Sequence, residues 1–274
     1  MAICTPKNYQ ATQDAGFDST QFSCERADLR LGIINLMPFK SEVEQQFFSV
    51  FSDVPLNIEL EFLCPFRRSK HQDWSYIQQN YHPLQAVFER SYDGLIVTGA
   101  PVEHLPFEEV DYWPQLRDLI LDNSLPTIYI CWAAQAALYL RYQIPKYPLP
   151  EKLFGVYPHS CEPNPFITGD FRVPHSRFTC NREQDLRTNG LKILACSSRA
   201  GVYMAATPEF REFFITGHPE YQRERLQFEY LRDGGALPEH YFPNDDPALS
   251  PEMSWLNHRQ QFYRNWLNHI RNSL

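Results

Sequence analysis

The chain has 274 residues, 43% of them hydrophobic and 15% aromatic, and carries a formal net charge of −8. This is enough apolar material for a sizeable core in one large domain or two small ones. The acidic balance argues against nucleic acid or an anionic membrane as the main partner, and no apolar run approaches the length of a membrane span. Residues 1–18 lack the apolar centre of a signal peptide. Seven cysteines, an odd number without a C-x-x-C pair, read as reduced and unpaired, which suits a cytoplasmic enzyme.

Residues 1–28 are polar and without periodicity and read as an N-terminal arm ahead of a single domain over 29–274. The run 29–36 (LRLGIINL) is the first strand. Ser41 is a candidate cap for a helix over 42–51, with Glu44 completing a capping box. The stretch 57–64 (NIELEFLC) alternates as a strand does. Residues 65–81 read as a loop region with short helices, and 83–90 as helical. The run 93–97 (DGLIV) is a buried strand ending in the turn TGAP at 98–101, and 107–123 reads as a helix.

Residues 126–140 (PTIYICWAAQAALYL) join a β-rich apolar run, 127–130, to an Ala-rich helix-forming run, 132–140. Only a tight turn fits between them, and Cys131 sits on it. A strand-to-helix elbow exposes its central side chain at the top of a sheet, at a helix N-terminus whose dipole favours a thiolate. The competing reading is a small buried cysteine in a core strand. Beyond the elbow, 154–157, 171–173, 191–196 and 202–206 read as strands of an inserted antiparallel segment. The run 213–216 is a further strand, 221–232 a helix, 234–251 a loop and 253–270 a closing helix. Strand–helix alternation around the elbow implies an α/β fold on a mostly parallel sheet flanked by helices.

His218 follows a second apolar strand directly, with Glu220 two residues on. The carboxyl ends of strands in a parallel sheet converge on one crevice, so Cys131, His218 and Glu220 form a candidate triad. The thiol attacks an acyl carbon, the imidazole moves protons, and the carboxylate fixes and stabilises the imidazolium. The amide of Trp132 and the Gly99-Ala100 turn are the candidate oxyanion donors. Taken alone, His218-Pro219-Glu220 is equally a polar turn without chemistry. His71, His82, His104, His159, His240, His258 and His269 lack metal-ligand spacing and read mostly as surface or loop residues, so no metal site is expected. With 11 glycines and no Gly-rich loop, no phosphate cradle is expected either.

Nine ordered segments carry a resemblance: NLMP (35–38), DGLIVTGAP (93–101), FEEVDYW (107–113), ICW (130–132), PHSR (174–177), AGVY (200–203), TGHPEY (216–221), YFPNDDP (241–247) and NWLN (265–268). They resemble the homoserine O-acyltransferase family of the glutamine-amidotransferase-like type, from about residue 29 to near the C-terminus. The resemblance implies a doubly wound, flavodoxin-like α/β fold and a homodimer. It implies ping-pong transfer from an acyl-CoA to an amino-acid hydroxyl in methionine biosynthesis, with acetyl-CoA as co-substrate and no cofactor. It gives Cys131 the nucleophile's role, His218 the base's and Glu220 its partner's. It places Arg232 on the acceptor carboxylate, Lys152 and Ser176 in the substrate pocket, and Glu103 where Glu favours acetyl-CoA and Gly succinyl-CoA.

Departures are Ala133 where the family has Gly, Trp255-Leu256 where it closes on Trp-Arg, an opening at 1–27 that does not match, and a divergent stretch at 71–85. Homoserine O-succinylation and serine O-acylation stay open beside O-acetylation. A hydrolase or glutaminase on the same triad is a rival that Trp132-Ala133 disfavours. A binding protein that kept the fold is disfavoured by the intact triad.

Overall fold

The computed structural model describes residues 3–5, 9, 27–52, 54–66 and 73–274. In chain order its elements are β1 (Ile3–Cys4), β2 (Leu29–Ile34), α1 (Lys40–Ser52), β3 (Ile58–Cys64), α2 (Trp74–Asn80), β4 (His82–Pro83), α3 (Ala86–Glu89), β5 (Gly94–Val97) and α4 (Trp113–Asp122). Then follow β6 (Thr127–Ile130), α5 (Trp132–Tyr142), β7 (Tyr147–Cys161), β8 (Phe171–Cys180), α6 (Glu183–Thr188), β9 (Lys192–Ser197), β10 (Gly201–Ala206), β11 (Glu212–Ile215), α7 (Arg225–Asp233) and α8 (Leu256–Ser273).

One sheet runs β1-β3-β2-β5-β6-β11-β10-β9-β7-β8, with β4 added beside β3. Strands β1 to β11 along this order are parallel, and β11 onward is antiparallel. The short apolar runs are buried on both faces, as parallel strands are. Ile33, Ile96, Ile128, Ile130 and Ile215 point into one layer, which α1 and α8 cover with Phe47, Phe48, Phe51, Phe262 and Trp266. Leu95, Val97, Tyr129 and Phe214, one residue out of phase, point into the other, which α4 and α5 cover with Leu116, Leu119, Ala134 and Leu138. This is the expected doubly wound α/β sandwich. The direction of winding reverses between β2 and β5, so the loops after them part and leave a crevice at the strands' carboxyl ends.

Several expectations need correction. Helix α1 begins at Lys40, so Ser41 lies inside its first turn. Glu44 is buried and accepts the hydroxyls of Tyr76 (2.7 Å) and Tyr81 (2.6 Å). The stretch 107–123 is not one helix: a 3-10 turn at Phe107–Glu109 precedes α4. The runs 154–157 and 171–173 are fragments of a hairpin whose strands have 15 and 10 residues. Pro148, Pro150 and Pro158 hid its length, but all three are exposed and β9 pairs with β7 only at Ser160 and Cys161, so one side of β7 is open there and tolerates proline. Strand β7 also approaches the later loop so closely at Gly155 that a Cβ there would sit 2.3 Å from the Glu239 carbonyl oxygen. At the N-terminus, Ile3 pairs with Ile58 at the sheet edge and the Tyr9 hydroxyl accepts the Phe62 N–H at 3.3 Å, so these residues of the arm join the fold. Residues 6–8, 10–26 and 67–72, with most of the remaining arm and the start of the divergent 71–85 stretch, lie outside the described residues.

Candidate active site

Cys131 is the N-cap of α5, with φ 53° and ψ −115°. For a residue with a side chain this backbone is strained by roughly 1–3 kcal/mol, and such strain persists only where the surroundings over-determine it. Here the Cys131 N–H donates to the Ile215 carbonyl at 2.6 Å, which ties the end of β6 to the end of β11. Gln135, one turn into α5, returns its N–H to the Cys131 carbonyl at 3.2 Å. The next side chain, Trp132, is buried among Phe107 (5.6 Å between ring centres), Tyr112 (6.2 Å) and Trp113 (6.5 Å). The helix therefore cannot rotate about its start. As the first helical residue, Trp132 has no intrahelical acceptor for its N–H. Gly99 faces the elbow from β5: a Cβ there would lie 3.3 Å from Cys131 Cβ and 3.7 Å from His218 Cε1.

His218 enters from the turn after β11, its N–H donating to the Pro174 carbonyl of β8 at 2.8 Å. Its Nδ1 meets Glu220 Oε1 at 2.8 Å, and both residues are buried. The ring lies on Tyr221, centres 4.2 Å apart and planes 12° off parallel. Burial by itself would depress the imidazole. The charges on Glu220 and Cys131, with hydrogen bonds to both, outweigh it and raise His218 to about 10. The arrangement favours an imidazolium at neutral pH, held between a carboxylate and the elbow sulfur.

A cleft of about 280 Å³ opens above the sulfur, just below the roughly 300–1,000 Å³ range of small-molecule sites. Gly99, Ala100, Glu103, Cys131, Lys152, Ser176, His218 and Arg232 all line it. Glu220 stands behind His218, and the Trp132 ring behind the elbow. Eight predicted residues from six separate segments thus face one space. Arg232 does so with its guanidinium forked onto Asp233 (2.6 and 2.9 Å), the side chain 42% exposed.

Compared with known proteins, the family model described as homoserine O-succinyltransferase matches residues 19–273. The chain belongs to this family. It is 51% identical over 255 residues to "Homoserine O-acetyltransferase 2" of Ilyobacter polytropus, covering 93% of this chain and 90% of that one. It is 43% identical to "Homoserine O-acetyltransferase" of Thermotoga petrophila (88% and 84% covered) and 42% identical to that of Geobacillus kaustophilus (90% and 87%). Among solved structures it resembles a glutamine amidotransferase from Thermotoga maritima, with a TM-score of 0.57 at 13% identity over 90% of this chain and 99% of that one. A glutamine amidotransferase from Methylobacillus flagellatus gives 0.51 at 12%, over 90% and 94%. At such identities the likeness is one of fold, the glutamine-amidotransferase-like fold that the sequence implied.

In this family member the carboxylate that gathers the cleft is one that sequence reasoning missed. Glu229 on α7 is buried and accepts Ser176 Oγ at 2.6 Å. Arg225 Nη2 (3.1 Å), Lys152 Nζ (3.5 Å) and the Tyr221 hydroxyl (3.3 Å) surround it. Burial pushes its carboxyl up, but Arg225, Ser176 and Lys152 outweigh that and hold it below the ordinary range. Arg225 continues to Glu42 at 2.8 Å. The signal was present: Arg225, Glu229 and Arg232 recur at i, i+4, i+7. Such a stripe ordinarily faces water. In α7 the cleft takes it, while Phe228 (45%) and Leu231 (71%) are exposed.

The expectation that most histidines lie at the surface fails for two. His159 and His258 are buried, beside a buried His175. His159 Nε2 lies 3.2 Å from His175 Nε2, and His258 Nε2 lies 2.9 Å from the Tyr203 hydroxyl. Burial holds His159 at about 4, His258 at about 3 and His175 well below the ordinary value, so all three are neutral. His159 and His175 bond to each other and His258 to Tyr203 in place of water, which makes burial tolerable, although His258 Nδ1 is left without a partner. No cluster of three or more metal-ligating side chains occurs among the described residues.

Proposed function

We propose that the protein transfers an acetyl group from acetyl-CoA to the side-chain hydroxyl of L-homoserine through an acyl-cysteine on Cys131, yielding O-acetyl-L-homoserine for methionine biosynthesis. The observation that carries this reading is the meeting, in one cleft, of a strained elbow thiol, a His218–Glu220 pair and a second set of cations and carboxylates.

In the first half-reaction Cys131 Sγ attacks the thioester carbonyl, and the oxyanion forms toward the Trp132 N–H and the Gly99-Ala100 turn. The CoA thiolate leaves, taking the proton from His218. In the second, His218 takes the proton of the acceptor hydroxyl, which attacks the acyl carbon, and the Cys131 thiolate leaves. One thioester replaces another before a lower-energy oxygen ester forms, so neither ATP nor a cofactor is needed. A zwitterionic amino acid suits the far wall: Arg232 for the α-carboxylate, with Glu229 and Asp233 near enough to receive an ammonium. Lys152 and Ser176 keep Glu229 oriented.

The donor follows from Glu103. A succinyl chain would bring its distal carboxylate toward Glu103. Two like charges about 4 Å apart cost roughly 1 kcal/mol in water and about 4 in a partly buried site. The relatives' names support acetyl, while the family's name carries succinyl. No helix among the described residues is long and apolar enough to cross a membrane. A cytoplasmic homodimer is the proposed form, and sedimentation at micromolar concentration tests the dimer.

The decisive experiment offers acetyl-CoA and succinyl-CoA with homoserine, serine or water, and follows thiol release. Fastest release with acetyl-CoA and homoserine is expected. Equal release with and without acceptor overturns the transferase reading, and faster turnover of serine moves the acceptor.

A further inference from the structure

The turn that carries Glu103 is held from behind by a lysine outside the cleft lining. Lys146 lies in the connection between α5 and β7. Its Nζ donates to the Glu103 carbonyl at 2.7 Å and to the Leu105 carbonyl at 2.6 Å, and lies 4.6 Å from the centre of the Phe107 ring. The turn uses its own N–H groups internally: Val102 N–H donates to the Ala100 carbonyl (2.9 Å) and Leu105 N–H to the Val102 carbonyl (3.0 Å). The Glu103 and Leu105 carbonyls are the ones that face Lys146.

The lysine is itself anchored. Asn181, at the end of β8, donates to the Pro145 carbonyl at 3.0 Å. Phe107 stacks on Tyr139 of α5 at 4.9 Å and packs against Trp132 at 5.6 Å, beside the nucleophile. On the far side, His104 packs on Phe178 at 4.7 Å. The ammonium is partly withdrawn from water, which lowers its proton affinity, while Glu103 and Glu108 partly offset that cost. It spends its hydrogen bonds on two backbone carbonyls, which fixes chain position and leaves the Glu103 carboxylate for the cleft.

We propose that Lys146 is a positioning residue for acyl-donor choice: it fixes the Glu103–Leu105 backbone relative to Cys131, and so holds the Glu103 carboxylate where a longer, charged acyl group would extend. This inference rests on the reading of Glu103 as the acyl selector.

The test compares kcat/KM for acetyl-CoA and succinyl-CoA, and the acceptor KM, in wild type, Lys146→Met, Glu103→Gly and the double variant. Displacement of a site group by about 1 Å can cost on the order of 100-fold, so the acetyl-to-succinyl ratio in Lys146→Met falls about 5- to 20-fold. The acceptor KM stays unchanged. In the Glu103→Gly background, Lys146→Met moves the ratio no further. If Lys146→Met does not fold, Lys146→Gln provides the same ratio. A ratio that moves in Glu103→Gly but not in the lysine variant, or an equal loss with both donors, overturns the inference alone. A ratio unmoved by Glu103→Gly overturns the Glu103 reading, and the inference with it.

Discussion

At Cys131 the backbone strain and the side-chain chemistry have one origin: the turn that costs roughly 1–3 kcal/mol also lifts the thiol out of the sheet toward His218. Cys131→Ala is expected to fold and to lose about 10⁴-fold or more of its activity. Intact mass after incubation with acetyl-CoA should show an acetyl adduct on wild type only. An adduct on the variant would place the nucleophile elsewhere. His218→Asn should lose both half-reactions, and Glu220→Gln less, because Glu220 only orients the imidazole and stabilises its cation. Near-normal turnover of His218→Asn would require another base. Arg232 now forks onto Asp233, so an acceptor carboxylate must compete for it. Arg232→Lys cannot present two parallel donors, and should raise the acceptor KM about tenfold while acyl-enzyme forms normally. Equal loss in both steps would make Arg232 structural.

At the scale of elements, β3 shows how an acidic strand is buried. Ile58, Leu60 and Phe62 enter the core under α1, while Glu61, on the opposite face, is fully buried. Glu61 accepts both Nε (2.7 Å) and Nη2 of Arg90 and the Tyr92 hydroxyl at 2.6 Å. Burial alone would raise its carboxyl, but these partners hold it below the ordinary range. Arg90→Leu should cost about 2–3 kcal/mol in denaturant unfolding at pH 7, below the full cost of breaking a buried pair because the guanidinium is partly exposed. A folded-state carboxylate value below the unfolded one gives stability that is present above the unfolded value and lost as pH falls. The difference between variant and wild type should therefore narrow in acid. A gap independent of pH would mean that packing, not charge, holds this edge.

For the whole molecule, two sets of histidines pull the stability profile in opposite directions. His159, His175 and His258 have folded values below the unfolded value of 6.5, so their contribution is full above 6.5 and lost as pH falls toward 4. His218, raised to about 10, contributes fully below 6.5 and loses that contribution as pH climbs toward 10. Melting temperature should therefore peak between about 6 and 7.5. His258→Phe should flatten the acid limb and His218→Asn the alkaline one. A profile that rises steadily to pH 9 would contradict the imidazolium assigned to His218.

Much of the fold, and the meeting of the cleft residues, was legible in the sequence because both are locally encoded. Runs such as 127–130 followed by 132–140 admit only a strand, a tight turn and a helix. Cys131, Gly99 and His218 each stand just after such a run, and parallel strands bring those ends together. The wall formed by Lys152, Ser176 and Arg232 was legible only through resemblance. Its organising carboxylate, Glu229, acts by where α7 docks, and a polar stripe at helical spacing does not say which way it faces. The β7–β8 hairpin, the buried histidines and the edge strand β1 were decided by tertiary structure for the same reason. Prolines survive in β7 where β9 leaves one of its sides unpaired, imidazoles are buried when other buried groups satisfy them, and Ile3–Cys4 extends only because β3 offers an open row of hydrogen-bonding groups. Sequence periodicity records which residues share a face. It does not record what that face meets.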